Sequence, residues 1–305
     1  MSSQPDPLPS GNTLTDQERA MLAEAAAYLE DPSFLIRVAN LVGKPAEALL
    51  NSVPERGRQL VADSTHRALR RGLDWAVHSL PAPANETAPR GRLSRFVENN
   101  VHTAATALTG AGGGLLGLPG LVVELPATTA LMLRSIAVIA AEHGADLNDP
   151  ATRLECLAVF SFGSEPLEEM ESSYFTSRVS VALAVRQAGH FVAAHSAREI
   201  SDALARGTAP LLIRLVNTIA ARFQVVVSQK LAAQAVPLIG AGLGALVNAA
   251  FTDHFNRVAR YHFSIVALER RYGREVVQAA YAEACRTQRA RRHGRSIVRL
   301  QSLSA

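Results

Sequence analysis

A chain of 305 residues is long enough to bury a large core, as one domain or as two. Its 48% apolar and 19% charged residues exclude a disordered chain, and a mean hydropathy of +0.08 excludes a polytopic transporter. The net charge is +4 and every basic residue but Lys44 and Lys230 is arginine, yet aromatics make up only 5%, so base stacking and nucleic-acid binding are not expected.

Residues 1–13 are rich in Pro, Ser, Gly and Asn and are expected to form a disordered lead-in. No basic-then-apolar secretory pattern opens the chain, so the cytoplasmic side is the expected compartment. Thr15 to Glu18 reads as a capping box for a helix that Asp31-Pro32 stops. A second helix is expected over 33–43 and a third near Pro45. After Pro54 a further helix carries Leu60, Val61, Leu69, Leu73, Trp75, Ala76 and Leu80 as its apolar positions. The Pro- and Ala-rich run at 81–89 marks a linker between this N-terminal helical region (14–80) and the main body.

The main body, 93–285, reads as helical almost throughout. A long helix is expected over 127–143, closed by Gly144 as a left-handed cap. Asp149-Pro150 opens another, and 172–204 reads as one long helix that the Gly207–Pro210 run ends. Leu212, Val216, Ile219, Phe223 and Val226 step by four, three, four and three, the spacing of a buried packing stripe. No alternating run bounded by turns is present, so the fold class is all-α. Residues 286–305 form a basic tail.

Two similar segments lie 130 residues apart. One opens at Gly110-Ala111-Gly112-Gly113-Gly114, passes Glu124 and closes at Glu142-His143-Gly144. The other opens at Gly240-Ala241-Gly242-Leu243-Gly244, passes Asp253 and closes at Arg271-Tyr272-Gly273. The recurrence predicts a duplicated helical hairpin, an internal pseudo-repeat in which Gly110, Gly112, Gly114, Gly240, Gly242 and Gly244 let helix backbones approach closely or meet lipid. No strand precedes these glycines and no Gly-Lys-Ser/Thr follows, which argues against a phosphate loop.

The second segment sits in a wider pattern. Lys230 precedes Val236-Pro237-Leu238-Ile239-Gly240; Asn248, Phe251, Ala259 and His262-Phe263 follow, then Leu268-Glu269-Arg270-Arg271-Tyr272-Gly273. In the first half, Glu124-Leu125-Pro126, Tyr174 and Arg178 fall in matching order. This ordered set resembles the EcsC family over roughly residues 90–285, with Glu124 standing for the commoner aspartate and His143 for a tyrosine. The resemblance implies a bacterial protein encoded near ABC-transporter components and associated with membrane or secretion physiology, without a settled biochemical activity.

Residues 99–123 and 231–252 contain no Asp, Glu, Lys or Arg and are long enough to cross a bilayer. Asn, Thr, Pro and Gly in the first make spanning unfavourable, so a buried soluble core and a membrane-dipping or surface-bound hairpin stay open beside it. Glu124 and Asp253 are the titratable pair of interest. Converged, two carboxylates share a proton, bind a cation or act as an acid/base pair, with His254 and His262 lining the same cleft. The bland alternatives are an ion pair with Arg134, Arg257 or Arg260 and partly exposed structural histidines. Cys156 and Cys285 stand alone, and no zinc motif or serine-nucleophile elbow is present, so no metal and no cofactor is implied. Arg198, Arg206, Arg214, Arg222 and Lys230, eight apart, turn by about 80° per step, so they form no single stripe and read as coincidence or solvated edges. Arg289, Arg291, Arg292 and Arg295, with apolar residues between, suit an anionic lipid surface. The leading expectation is a non-enzymatic, membrane-proximal accessory protein with a membrane surface or membrane-protein partner. The alternatives are a soluble hydrolase-like or cation-binding domain, and a pore-forming or defence effector. The sequence leaves the oligomeric state open.

Overall fold

The computed structural model describes residues 13–30, 34, 39–40, 43, 55–78, 117–162, 173–234 and 241–303. Among them all regular structure is helical. In chain order the helices are α1 (Asp16–Leu29), α2 (Glu55–His78), α3 (Gly117–Glu142), α4 (Pro150–Ala158), α5 (Ser173–Ala194), α6 (Ala197–Ala205), α7 (Pro210–Gln234), α8 (Ala241–Tyr272) and α9 (Arg274–Leu303). A single 3-10 turn, Val159–Ser161, extends α4. The lead-in, the linker at 81–89 and the first glycine run at 110–114 lie outside the described residues.

Local chemistry sets most helix ends. The Thr15 side chain accepts from the Glu18 N–H while Glu18 accepts from the Thr15 N–H, a complete capping box. Asp149 accepts from the N–H groups of Ala151 and Thr152, and Pro150 enters α4 where no N–H is needed. Gly144, Gly207 and Gly273 sit at φ of 73°, 69° and 87°, the left-handed conformation that ends a helix and suits glycine.

Two expectations are corrected. The helix expected over 127–143 begins ten residues earlier, at Gly117, and runs through Pro126. An interior proline removes one backbone hydrogen bond and costs about 3 kcal/mol or more. Burial of Leu125, Met132, Leu133 and Ile136 along the same helix offsets that cost. The single helix expected over 172–204 is two, because Ser196 caps α6. Its side chain accepts from the Glu199 N–H and Glu199 accepts from the Ser196 N–H, so a local signal outcompetes continuation of α5.

The core is one continuous cluster reaching from Leu14 to Cys285. The predicted stripe on α7 is fully internal, with Leu212, Val216, Ile219, Phe223 and Val226 all buried. Around it, α7 packs on α2, α5 and α8, while α2 lies along α3 and α1 along α9. Phe223 stacks near Phe160 of the 3-10 turn, at 4.8 Å, and near Phe255 of α8, at 5.4 Å. The helices on either side of the expected linker therefore share this core. Helix α3 also packs against α8, and Arg270 near the end of α8 donates to the Gly144 carbonyl at 2.8 Å.

Candidate functional site

Among the described residues, the inward face of helix α8 carries two buried histidines and an enclosed glutamate. His262 is fully buried, which a polar ring tolerates only when both nitrogens have partners. Its Nδ1 lies 2.8 Å from the Tyr174 hydroxyl of α5, and its Nε2 lies 3.1 Å from Glu155 Oε1 of α4. Burial pulls the imidazole below the ordinary histidine range, against the opposing pull of Glu155. Burial by itself raises the Glu155 carboxyl, but the His262 hydrogen bond and the nearby Arg178 and Arg270 charges outweigh it and leave it lowered. One protonation pattern satisfies all three groups. Glu155 is ionised, the neutral imidazole donates to it from Nε2, and the Tyr174 O–H donates to Nδ1.

One turn along α5, Arg178 meets Glu269 of α8 through two hydrogen bonds of 2.8 and 2.7 Å. Both side chains are largely enclosed, at 13% and 8% exposure. Fork-to-fork geometry is the form in which a buried ion pair recovers its desolvation cost. The network continues to Glu30, just past α1, whose Oε1 accepts from the Tyr174 N–H at 3.3 Å and from the Tyr281 hydroxyl of α9 at 3.0 Å. Five segments of the chain, the end of α1 with α4, α5, α8 and α9, are thus linked in one polar network in which α5 bridges α8 to Glu30.

A second buried histidine, His254, lies two turns earlier on α8 and is 3.1 Å from the Tyr28 hydroxyl of α1. Phe34, Phe251 and Phe255 surround it, with ring centroids 5.0–5.8 Å apart in the flanking pairs Phe34–Phe251 and His254–Phe255. Lys230 of α7 is also fully buried, with Nζ 4.9 Å from the Phe251 ring centre, the attraction of a cation to an aromatic face. Lys230 is therefore no solvated edge, whereas Arg198, Arg206 and Arg214 of the same eight-residue series are exposed as expected. Arg222, in the same series, is half-buried and donates to the Ser177 hydroxyl.

The polar chain Glu155–His262–Tyr174 has the connectivity of an acid/base relay. It does not have the access. Tyr174 is 1% exposed and His262 is 0%, so only Glu155, at 28%, meets solvent. The phenol that would end a relay is sealed, and burial raises its pKa well above the usual tyrosine value. The arrangement clamps α4, α5 and α8 together.

The sequence candidates fall in different places. His254 and His262 are inside the core, not partly exposed, because tyrosine hydroxyls from α1 and α5 come to them. Asp253 turns outward and pairs with Arg257 at 2.9 Å, the ion pair anticipated as its structural role. Its side chain is 44% exposed, while both histidines are enclosed. Glu124 lies in α3 with its side chain outside the description, so convergence with Asp253 falls outside the described residues. Gly242 and Gly244 lie in the first turn of α8; Gly110, Gly112, Gly114 and Gly240 are not described. Arg289 is exposed on α9, which carries on through Arg291, Arg292 and Arg295 as one helix. Among the described residues no group of three or more His, Cys, Asp or Glu is placed to hold a metal ion. Sequence reasoning passed over Glu155, though it had a signal: a lone acid between Leu154, Cys156 and Leu157 on an apolar turn.

The family model described as the EcsC protein family matches residues 91–265. The chain belongs to the EcsC protein family. No curated protein and no solved structure matches it. The EcsC match takes in Glu155, Tyr174, Arg178, His254 and His262, while Glu269 and the α9 contribution lie beyond its end. Several residues that carried the resemblance, Tyr174, Arg178, His262 and Glu269, are thus joined in one buried clamp.

Proposed function

We propose that this EcsC-family chain is a non-enzymatic accessory protein that works at the inner face of the cytoplasmic membrane, in transport or secretion physiology. The observation that carries the reading is α9. It continues as a single helix of 30 residues to Leu303, well past Cys285, its last buried residue among those described. At 1.5 Å per residue that helix is about 45 Å long. From Arg286 onward its sequence carries Arg286, Arg289, Arg291, Arg292, Arg295 and Arg299, interleaved with Ile297, Val298 and Leu300. Arginines near an anionic leaflet contribute about 1 kcal/mol each, and interleaved apolar residues add shallow insertion.

Peripheral attachment is favoured over spanning. Two helical stretches, Leu125–Glu142 and Pro210–Ala232, are long and apolar enough to cross a membrane, but 50% and 44% of each is buried against other helices. About half of each stretch is thus already used as core. The reading keeps the duplication as its frame, with α3 and α8 as matched long helices that pack together and end at left-handed glycines. Fractionation tests it. The protein is expected in the membrane pellet at low salt and in the supernatant after a high-salt wash, since screening weakens exposed charge attraction. Recovery in the soluble fraction at every salt concentration would overturn the proposal.

A further inference from the structure

Helices α5 and α7 pack side by side, and neither contains a single Asp or Glu over 22 and 25 residues. Their inward faces belong to the core. Their outward residues include Val179, at 68% exposure, Leu183, at 44%, and Val225, at 38%. These are three of the four large apolar side chains exposed among the described residues; the fourth is Leu246 of α8. Val179 and Leu183 are one turn apart on α5 and so lie on one line along the helix. Arg186 and His190 continue that line and are exposed, as are Arg214, Asn217 and Ala221 on the outer side of α7. The two helices are stitched where Arg222 donates to Ser177, with Ser180 exposed beside one end of that bond and Val225 one turn beyond the other.

The outer face of α2 is built differently. Helix α2, for comparison, exposes Arg58, Asp63, Arg67, Arg70, Arg71 and Asp74, a mixture of both signs suited to water. On α5 the one arginine turned inward, Arg178, is neutralised by Glu269. The nearest acids in sequence are Glu171, two residues before α5 and outside the described residues, and Glu199 of α6, beyond its end. What α5 and α7 present outward is therefore apolar and cationic, with no carboxylate of their own.

We infer that the outer face of α5 and α7 docks flat on an anionic phospholipid surface, with Val179, Leu183 and Val225 entering the headgroup boundary and Arg186 and Arg214 meeting lipid phosphates. The chemistry is that of an interfacial helix pair: apolar side chains a few ångströms deep, guanidinium groups at the phosphate level, and no acid within either helix to repel the leaflet. This rests on the membrane-surface reading proposed above and assigns it a surface other than the basic tail.

The test uses the full-length chain and sedimentation with vesicles of phosphatidylglycerol and phosphatidylcholine, against vesicles of phosphatidylcholine alone. The wild type is expected to bind the anionic vesicles. The Val179→Asp/Leu183→Asp/Val225→Asp variant should bind about tenfold more weakly or worse, as shallow apolar insertion is lost. Arg186→Glu/Arg214→Glu should lower the preference for phosphatidylglycerol. All these positions are at the surface, and unchanged circular dichroism and melting will verify folding. A second measurement places an environment-sensitive dye on Leu183→Cys, since the native Cys156 and Cys285 are buried. Its emission should shift to the blue on anionic vesicles, while the same dye on Asp202→Cys should not shift. Wild-type vesicle binding by the aspartate variant, with no blue shift at position 183, overturns this surface and leaves the membrane reading standing. Membrane association in cells without vesicle binding also overturns the lipid surface alone. Absence from cellular membranes at low salt overturns both.

Discussion

His262 is held neutral by its burial, and Glu155 is held ionised by the hydrogen bond it accepts. Both shifts have the same consequence in acid. The unfolded chain takes up a proton on this histidine near its ordinary value while the folded chain resists, so stability is present above about pH 6.5 and falls as pH drops below it. Glu155, lowered in the fold, adds a further loss as pH falls below the ordinary glutamate range. Wild-type melting temperature should therefore decline between about pH 7 and pH 5, and a His262→Gln variant should show a shallower slope over that window. Equal slopes in thermal melts would remove His262 as the source. Arg178 gives a second prediction at this scale. Arg178→Leu leaves Glu269 charged and enclosed and should cost roughly 3–5 kcal/mol in urea unfolding. The double variant Arg178→Leu/Glu269→Leu should cost less than the single one, because no charge is then stranded.

Helix ends and helix contacts respond to different chemistry. Ser196 supplies the cap that separates α6 from α5, so Ser196→Ala should destabilise by about 1 kcal/mol in chemical denaturation. A Ser-x-x-Glu signal of this kind was present at 196–199, but the apolar run on either side read as continuous. The close approach of helices is made at Gly189 of α5, where a Cβ would meet the Ala151 Cβ at 3.0 Å and its Cα at 3.2 Å. Gly189→Val must push α5 away from the α4 backbone and should cost about 1–3 kcal/mol by the same measurement. That glycine lies outside the glycine-rich strings that stand out in the sequence. A string is visible by eye; a single contact glycine is defined only by what faces it. The same holds for α3, whose passage through Pro126 is decided by packing beyond its own residues.

Across the whole molecule, α8 is joined by polar side chains to α1, α4 and α5, α9 is tied in through Glu30, and α7 is the apolar centre. This leaves the outer sides of α5 and α7 and the far half of α9 as the surfaces with chemistry to spare. The salt-sensitive pelleting expected of the full chain belongs to these surfaces, and a variant carrying Glu at Arg289, Arg291, Arg292 and Arg295 should pellet less at low salt. Unchanged pelleting would exclude the tail as a lipid contact. The all-helical class, the α1 and α4 starts, the closing glycines, the buried stripe on α7 and the EcsC resemblance were legible in sequence, because capping and periodicity act over a few residues. The fate of the polar residues was not. Asp253 and His254 are neighbours in the chain, yet one is solvated and paired with Arg257 while the other is enclosed beside Tyr28. Partners of the buried groups come from 91 residues away for Arg178 and Glu269 and from 144 for Glu30 and Tyr174. Periodicity marks which face of a helix turns inward. Only the tertiary fold decides whether a charge on that face finds an opposite charge there, and that pairing is what makes its burial tolerable.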